Sequence, residues 1–557
     1  MKTYQLVVLL IALILLKGTI LIAEGEDDSK VRHTISGYIK DAATGEDLIG
    51  ATVYIEELKT GTTTNVYGYF ALTLIPGTYN LKVSYIGFED QRRIIQLKED
   101  MTWNIDMSVA NQELEEVVIM STAINDNITN TEMSAIDLDV QTIRKIPAFM
   151  GEVDVIKAIQ LLPGVQTIAE GSSGFSVRGG SIDQNLIQLD EATVYNASHL
   201  MGFFSVFNND AIKDVKLYKG DIPASSGGRL SSLLDVRMKD GNSKKFSATG
   251  GIGTISSRLT LEGPILKDKL TYIVSGRRTY ADLFLRLSSN PDINENVLYF
   301  YDLNAKVNWE ANENNRFYAS AYYGDDIFKN PDFKMGWGNR TFSLRWNHLF
   351  SKKIFSNVTA VYSNFDYELG VPEGSAESFE WLARMKDYGV KADLNYYLNT
   401  NNTLRFGGSV IYHKFDPGTA KGLGEEAFFT EYAVQQSNAI ESGLYVSNEQ
   451  KIGARLSLKY GIRYSFFQNV GSATIYNFND NSEKVDSTNY ASGVFFSPYG
   501  GLEPRLGATF ILNDVSSLKA SYSRTRQYIH LAQNSTAGTP LDVWFPSSPN
   551  VKPQIAD

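Results

Sequence analysis

The 557-residue sequence has no cysteine at all and only five histidines. Without cysteine there is no disulfide framework, no thiolate zinc or iron–sulfur site and no thiol nucleophile. The histidines (His33, His199, His348, His413 and His530) are scattered, and no HxxE pair accompanies His33, so no metal site and no cofactor are expected. Excess positive charge is also missing. Lys+Arg number 52 against 63 Asp+Glu, a net charge of −11, and no nucleic-acid partner is expected. No Ser/His/Asp or paired-carboxylate arrangement stands out, so the chain reads as a non-enzyme with no catalytic residues. Beyond the N-terminus there is no apolar run long enough for a transmembrane helix.

What remains is a β-rich composition. Hydrophobic residues at 43 % and charged residues at 21 % exclude a disordered chain, while 45 Gly, 31 Tyr and 29 Phe indicate many turns and aromatic strands. The run Leu6 to Leu16 after Met1-Lys2 has the length of a signal-peptide core and is too short to span a bilayer. Residues 1–23 therefore read as a signal peptide cleaved near Ala23. The alternative is an uncleaved anchor reaching Ala23, which Lys17 and Gly18 interrupt.

From 31 to 109 the pattern alternates with turn punctuation. Ala51, Val53 and Ile55 share a face, Pro76-Gly77 makes a turn, and Tyr79, Leu81, Val83 and Tyr85 share the next face. This predicts a small β-sandwich. Residues 110–125 form an acidic linker carrying the β-prone segment Glu115, Glu116, Val117, Val118, Ile119, Met120. Such a segment can be captured by a partner sheet through strand addition, or can serve as a last strand of the sandwich or a first strand of the adjoining domain. Residues 126–240 are mixed α/β. Val155, Ile159 and Leu162 share a helical face ended by Pro163-Gly164, and short glycine-punctuated strands come after it.

Residues 241–557 obey strict alternation. Tyr299, Tyr301, Leu303, Ala305, Val307 and Trp309 oppose Asp302, Asn304, Lys306, Asn308 and Glu310, and the same holds for Phe342, Leu344, Trp346 against Ser343, Arg345, Asn347. A soluble sandwich can produce alternation. Strands of ten residues or more, with tight turns near Asp268, Glu313, Lys352, Thr400, Ile452 and Asn513 and long loops such as Asp325–Asn339 and Gln468–Gly500, point instead to a transmembrane antiparallel β-barrel. About thirteen strands are expected by Asp557. A bacterial barrel closes on an even number, so the barrel is expected to be incomplete at the C-terminus of this chain. Gly250 to Gly253 superficially suggest a phosphate loop, but no helix comes after them.

The motifs LLPGVQ (Leu161 to Gln166), FSVRGG with Arg178, Gly179 and Gly180, QLDEATVYN around Asp190, and YKGDIPASSGGRLSSLLDV with Gly227, Gly228 and Arg229 succeed one another in order. With the sandwich, linker and barrel pattern, this order resembles the TonB-dependent outer-membrane receptors with an N-terminal carboxypeptidase-regulatory-like domain, a transthyretin-like fold. A departure is Lys219-Gly220-Asp221 where the family commonly has Arg-Gly-Pro.

The resemblance implies a mainly β architecture of sandwich, α/β plug domain and membrane barrel, in the outer membrane with the N-terminal domain in the periplasm. It implies that Glu115 to Met120 are the TonB box. It further implies uptake of a scarce nutrient, powered by TonB and its inner-membrane energising complex. Outer-membrane lipid, an unidentified nutrient ligand and a surface lipoprotein complete the expected partners. A ligand sensor that signals to the periplasm and a surface adhesin or scaffold are the rival functions. Buried plug arginines are expected to find carboxylates on the wet barrel face, such as Asp302, Glu310 and Asp393. Loop aromatics, among them Phe328, Trp337, Phe428, Phe429 and Phe545, suit stacking on sugar rings or aromatic chelates.

Overall fold

A computed structural model describes residues 31–557 except 111–127, 129–130, 144, 147–151, 168–173, 426, 429, 514 and 533–541. The signal-peptide segment, Glu115 to Met120 and Phe429 thus lie outside the described residues.

The N-terminal strands form two sheets. One holds Tyr69–Leu74, His33–Asp41, Met101–Thr102 and Ile105–Met107; the other orders Thr60–Thr63, Thr52–Ile55, Gly77–Ser84 and Gln91–Leu97. Between them lie Ile35, Ile39, Ala51, Val53, Ile55, Phe70, Leu72, Leu81 and Val83, so the faces read from alternation are the core faces. All six residues of Tyr69–Leu74 are buried, because the outer face of this sheet is covered as well.

The middle region builds a five-stranded sheet in the order Ala192–Thr193, Asn185–Leu189, Ser232–Met238, Ile212–Tyr218, Ala135–Asp139. The helix Val155–Gln160 packs on it with Val155, Ile156, Ala158 and Ile159 buried. Asp154 caps that helix, accepting from the Lys157 backbone N–H at 3.0 Å. The core of this inner domain is its own: apart from Tyr322, every buried member of the cluster comes from residues 138–238.

Thirteen strands from Ser247–Ile252 to Ser516–Ser523 pair in sequence order as one antiparallel sheet, with Tyr432–Ala433 as a short fourteenth strand on its flank. The first and last of the thirteen are not paired with each other. Burial along these strands is inverted relative to a soluble sandwich: Leu303 is 52 % and Trp309 47 % exposed, whereas Asp302 is 0 % and Lys306 3 % exposed. The apolar face points out and the polar face in, which a sheet immersed in lipid requires and a water-soluble sandwich forbids. Outward aromatics lie in two belts. Tyr299 and Tyr301 mark one, and Trp309, stacked on Phe317 at 5.4 Å, marks the other. The stretch from Tyr299 to Trp309 covers about 33 Å of strand, or about 25 Å of height at a barrel tilt near 40°.

Tight turns join Leu266 to Leu270, Asn312 to Asn315, Ser351 to Ile354, Asn399 to Asn402, Ile452 to Leu456 and Asn513 to Ser516 at one end. One expected long loop is absent. Asp325–Asn339 is mostly strand, with Gly324 paired to Asn339 and Lys329 to Lys334, leaving a four-residue turn. Gly336 and Gly338 read as loop residues in sequence, yet Gly338 sits in the ladder where a Cβ would strike Asp325 and the Gly324 carbonyl. Of the expected loop 468–500, the ends are ladder, with Val470 paired to Phe495, and 471–494 is a true excursion that contains its own hairpin, Ala473–Phe478 with Lys484–Tyr490.

Candidate functional site

The sheet wraps the inner domain, and the two meet through charge. The polarity is mostly the reverse of the expectation: the wall supplies most of the cations, and the inner domain supplies carboxylates and carbonyls, with inner-domain His199 against the wall carboxylates Asp326 and Asp302 as the exception. Arg258 meets Asp210 at 2.7 Å, and Lys306 lies 3.3 Å from Asp190 and 2.9 Å from Asp240. Arg345 meets Glu191 at 3.2 Å, Lys391 donates to the Glu191 carbonyl at 2.9 Å, and Lys459 stands 3.6 Å from Asp221. Arg463 donates to the carbonyls of Ala224 and Ser225 at 3.3 Å, and Arg505 to that of Pro223 at 2.5 Å. Asp302 stands 3.5 Å from inner-domain His199 but, like Glu310 and Asp393, pairs with no inner-domain arginine among the described residues. Asp302 holds Arg277 at 2.6 Å, Glu310 meets Lys40 of the N-terminal sandwich, and Asp393 accepts from the Tyr445 hydroxyl. Wall arginines win because the wall's inward face is a fixed polar scaffold, while the inner domain presents turns rich in acids and free carbonyls.

The sequence motifs interlock. The Ser231 hydroxyl donates to the Val177 carbonyl at 2.6 Å and would meet a Cβ on Gly180 at 2.5 Å, so the FSVRGG and GGRLSS segments touch. Asn185 donates to the Phe175 carbonyl at 2.8 Å and accepts from Ser232 at 2.6 Å, tying in the strand Asn185–Leu189 that leads into the third motif. Arg178 is exposed, in left-handed backbone at φ 52°, and donates to Ser134 at 2.6 Å. Gly179 follows at φ 81° with open space around it. Gly227 and Gly228 press on the wall: a Cβ would lie 2.6 Å from Arg463 Nε and 2.6 Å from Glu441 Oε1 respectively. Arg229 is buried, donates to the Gly228 carbonyl at 2.8 Å and lies 5.3 Å from the centre of the Trp544 ring. These glycines and Arg229 line a cavity of about 50 Å³ with Asp387, His413 and Glu441.

Asp190 and Glu191 form the two-residue turn between Asn185–Leu189 and Ala192–Thr193, both at positive φ (46° and 74°). Asp190 accepts from the Met238 backbone N–H at 3.3 Å. Sequence reasoning named Asp190 and passed over Glu191; the signal for it was an acidic pair where a hairpin turn prefers Asn-Gly or Asp-Gly. Burial alone would raise the Glu191 carboxyl, but Arg345, Lys391 and Arg237 hold it down to about 2. His199, stacked on Phe300 at 4.2 Å, bonds Asp326 at 2.5 Å. Burial pushes its pKa down, and the Asp326 and Asp302 carboxylates more than offset that, leaving it raised.

Residues 267–557, just over half of the chain, match the family model of the TonB-dependent receptor-like β-barrel. The chain belongs to the TonB-dependent receptors. Residues 131–231 match the TonB-dependent receptor plug domain, so the inner domain is the plug. Residues 35–119 match the carboxypeptidase-D-regulatory-like domain, a match that runs into the Glu115–Met120 segment. A stretch of 59 residues is 39 % identical to human carboxypeptidase D, covering 11 % of this chain and 4 % of that protein.

Similar solved structures include the copper transporter OprC, with 11 % identity and TM-score 0.55, covering 72 % of this chain and 66 % of that one. A double mutant of the Serratia marcescens hemophore receptor HasR, in complex with its hemophore HasA and heme, gives 14 % identity and TM-score 0.52, covering 72 % and 64 %. BauA, the ferric preacinetobactin receptor from Acinetobacter baumannii, gives 12 % and 0.51, covering 76 % and 66 %. At these identities the likeness is one of fold, and this chain spans 64–66 % of the length of those three structures.

Above the plug, the inward face of this TonB-dependent receptor carries a buried aromatic cluster. Trp337, Phe365, Tyr367, Phe415 and Phe467 face inward, Tyr195 of the plug joins them, and Tyr528 stacks on Phe467 at 5.1 Å. Of the loop aromatics read from sequence, Trp337 is buried in this cluster with Phe328 packed against it, Phe545 is half-buried and Phe428 is 82 % exposed.

Proposed function

We propose that this chain is an outer-membrane receptor that takes a nutrient at its long-loop end and admits it when the plug is displaced. The observation that carries this reading is the contrast between the plug's core and its seat. The core is apolar and supplied almost wholly by the plug itself, while the seat is a lattice of ion pairs and hydrogen bonds. An interface of this kind exchanges its contacts for water at little net cost, so the plug can move as a unit without unfolding.

The division into a signal peptide (1–23), sandwich (31–109), linker (110–125), plug (126–240) and barrel (241–557) belongs to this reading, with the sandwich in the periplasm. Arg178, Gly179, Gly180, Asp190, Gly227, Gly228 and Arg229 then shape and seat the plug. Glu115 to Met120 serve as the strand that TonB captures and pulls, drawing on the inner-membrane energising complex. The aromatic cluster above the plug, buried in this structure, offers flat surfaces to a ligand with rings when it opens. The names of the similar structures (copper, heme, a ferric siderophore) make metal chelates the first class to try, followed by cobalamin, oligosaccharides and peptides.

The test is growth of the host carrying the natural full-length gene with Glu115–Met120 deleted, or with Val118→Pro, in media where each class is limiting. A defect confined to one nutrient, with surface binding retained, is the expected result. Undiminished growth on every medium, with the protein present in the outer membrane, overturns energised import.

A further inference from the structure

The N-terminal sandwich does more than hang from the barrel: it reaches through the short-turn end and touches the plug at a strained point. Its outer sheet is seated on the wall. Tyr38, Tyr67, Tyr69 and Ala71 are buried with Phe355 and Tyr397, and the Tyr69 hydroxyl donates to the Lys352 carbonyl at 2.8 Å. Arg316 of the wall binds both oxygens of buried Asp47, at 3.1 and 3.0 Å, and lies 3.3 Å from the centre of the Tyr38 ring. From this platform Tyr67 projects further. Its ring stacks on Phe355 at 5.4 Å with the guanidiniums of Arg345 and Arg237 at 5.3 and 5.5 Å from the ring centre, and its hydroxyl donates to Glu191 Oε1 at 2.9 Å.

Glu191 is the tip of the plug turn in which two non-glycine residues both occupy the left-handed region. Such a turn persists only where its surroundings over-determine it, and such places are where switches are built. Here the holders are Tyr67 from the sandwich, and Arg345, Asn357 and Lys391 from the wall.

We propose that the N-terminal sandwich is a lock on the plug: Tyr67, seated against Glu191, holds the Asp190–Glu191 turn in its strained form and must withdraw before the plug can leave its seat. The inference rests on the plug-displacement reading above, and it gives the β-sandwich a reason to be joined to a transport barrel. It also places the lock at the end of the barrel from which a pull on the linker would come.

The test is hydrogen exchange on the full chain in lipid nanodiscs, which needs no ligand and no transport. Tyr67→Ala is expected to speed exchange about tenfold in Asn185–Leu189 and Ser232–Met238. Tyr67→Phe, which keeps the ring and removes the hydroxyl bond, is expected to speed it about fivefold. The wall hairpin Val297–Lys329 should exchange as in the parent. Unchanged plug exchange in the Phe variant overturns the lock, even if the Ala variant fails to assemble, and so does a gain shared equally by the wall. Because import is not the readout, a failure to find any imported nutrient would fall on the transport reading and leave the exchange result standing.

Discussion

Gly227 and Gly228 look alike in sequence to Gly179 and Gly180, and all four read most simply as turn glycines. The structure separates them by what surrounds each one. Gly179 needs glycine only for its positive φ, since nothing lies within 4 Å of a built Cβ, whereas Gly228 combines φ 84° with a Cβ position 2.6 Å from Glu441 Oε1. Gly179→Ala should therefore cost about 1–2 kcal/mol, the local penalty for a left-handed alanine. Gly228→Ala should cost more, about 3 kcal/mol, because the plug loop must also back away from the wall. Protease sensitivity of the plug in folded receptor checks this: Gly228→Ala is expected to raise cleavage well above Gly179→Ala. Equal effects would mean that the close approach to Glu441 carries no energy. The difference between the pairs could not be read in the sequence, since it depends on the distance to a strand more than 200 residues away.

Strands carried their meaning openly, because alternation survives translation into three dimensions. The sets Tyr299 to Trp309 and Phe342 to Trp346 lie on one face as read, and the six tight turns fall where polar residues interrupted the pattern. What alternation alone left open was which face is inside, and the burial of Asp302 and Lys306 against the exposure of Leu303 decides it. The hairpin 325–339 escaped because glycine and charge inside a strand imitate a loop; above the membrane a strand needs no apolar face, so the cue vanishes there. Membrane embedding makes a directional prediction. Leu303, midway between the belts at Tyr299 and Trp309, should lose about 2–4 kcal/mol of bilayer stability on Leu303→Arg. Leu58→Arg, at an exposed position of the N-terminal sandwich, should change little. Folding titrations in lipid vesicles distinguish the two; equal costs would remove Leu303 from the lipid.

Across the whole molecule, three bodies are held by seats rather than by one shared core, the plug's polar and the sandwich's aromatic with a buried ion pair, and the seats were the least legible part of the sequence. Tyr67, Tyr69 and Ala71 had a visible cue, since Tyr69–Leu74 is apolar on both faces, but nothing local says that the second face meets Phe355 and Tyr397. The same holds for Asp47 and Arg316, 269 positions apart. Both are buried, so removing either partner strands the other's charge away from water, at about 3–5 kcal/mol, while removing both deletes that penalty together with the attraction. Docking of the sandwich can be followed with one engineered thiol, because the chain has no cysteine of its own. Ala71→Cys places it in the buried seat, where a maleimide reaches it only when the sandwich undocks. Asp47→Ala and Arg316→Ala should each raise the labelling rate about 100-fold or more, as about 3 kcal/mol requires. The double variant should label more slowly than either single one. If it instead labels at the product of the two single effects, the pair is not coupled, and each side chain holds the seat through other contacts, as Arg316 does over the Tyr38 ring.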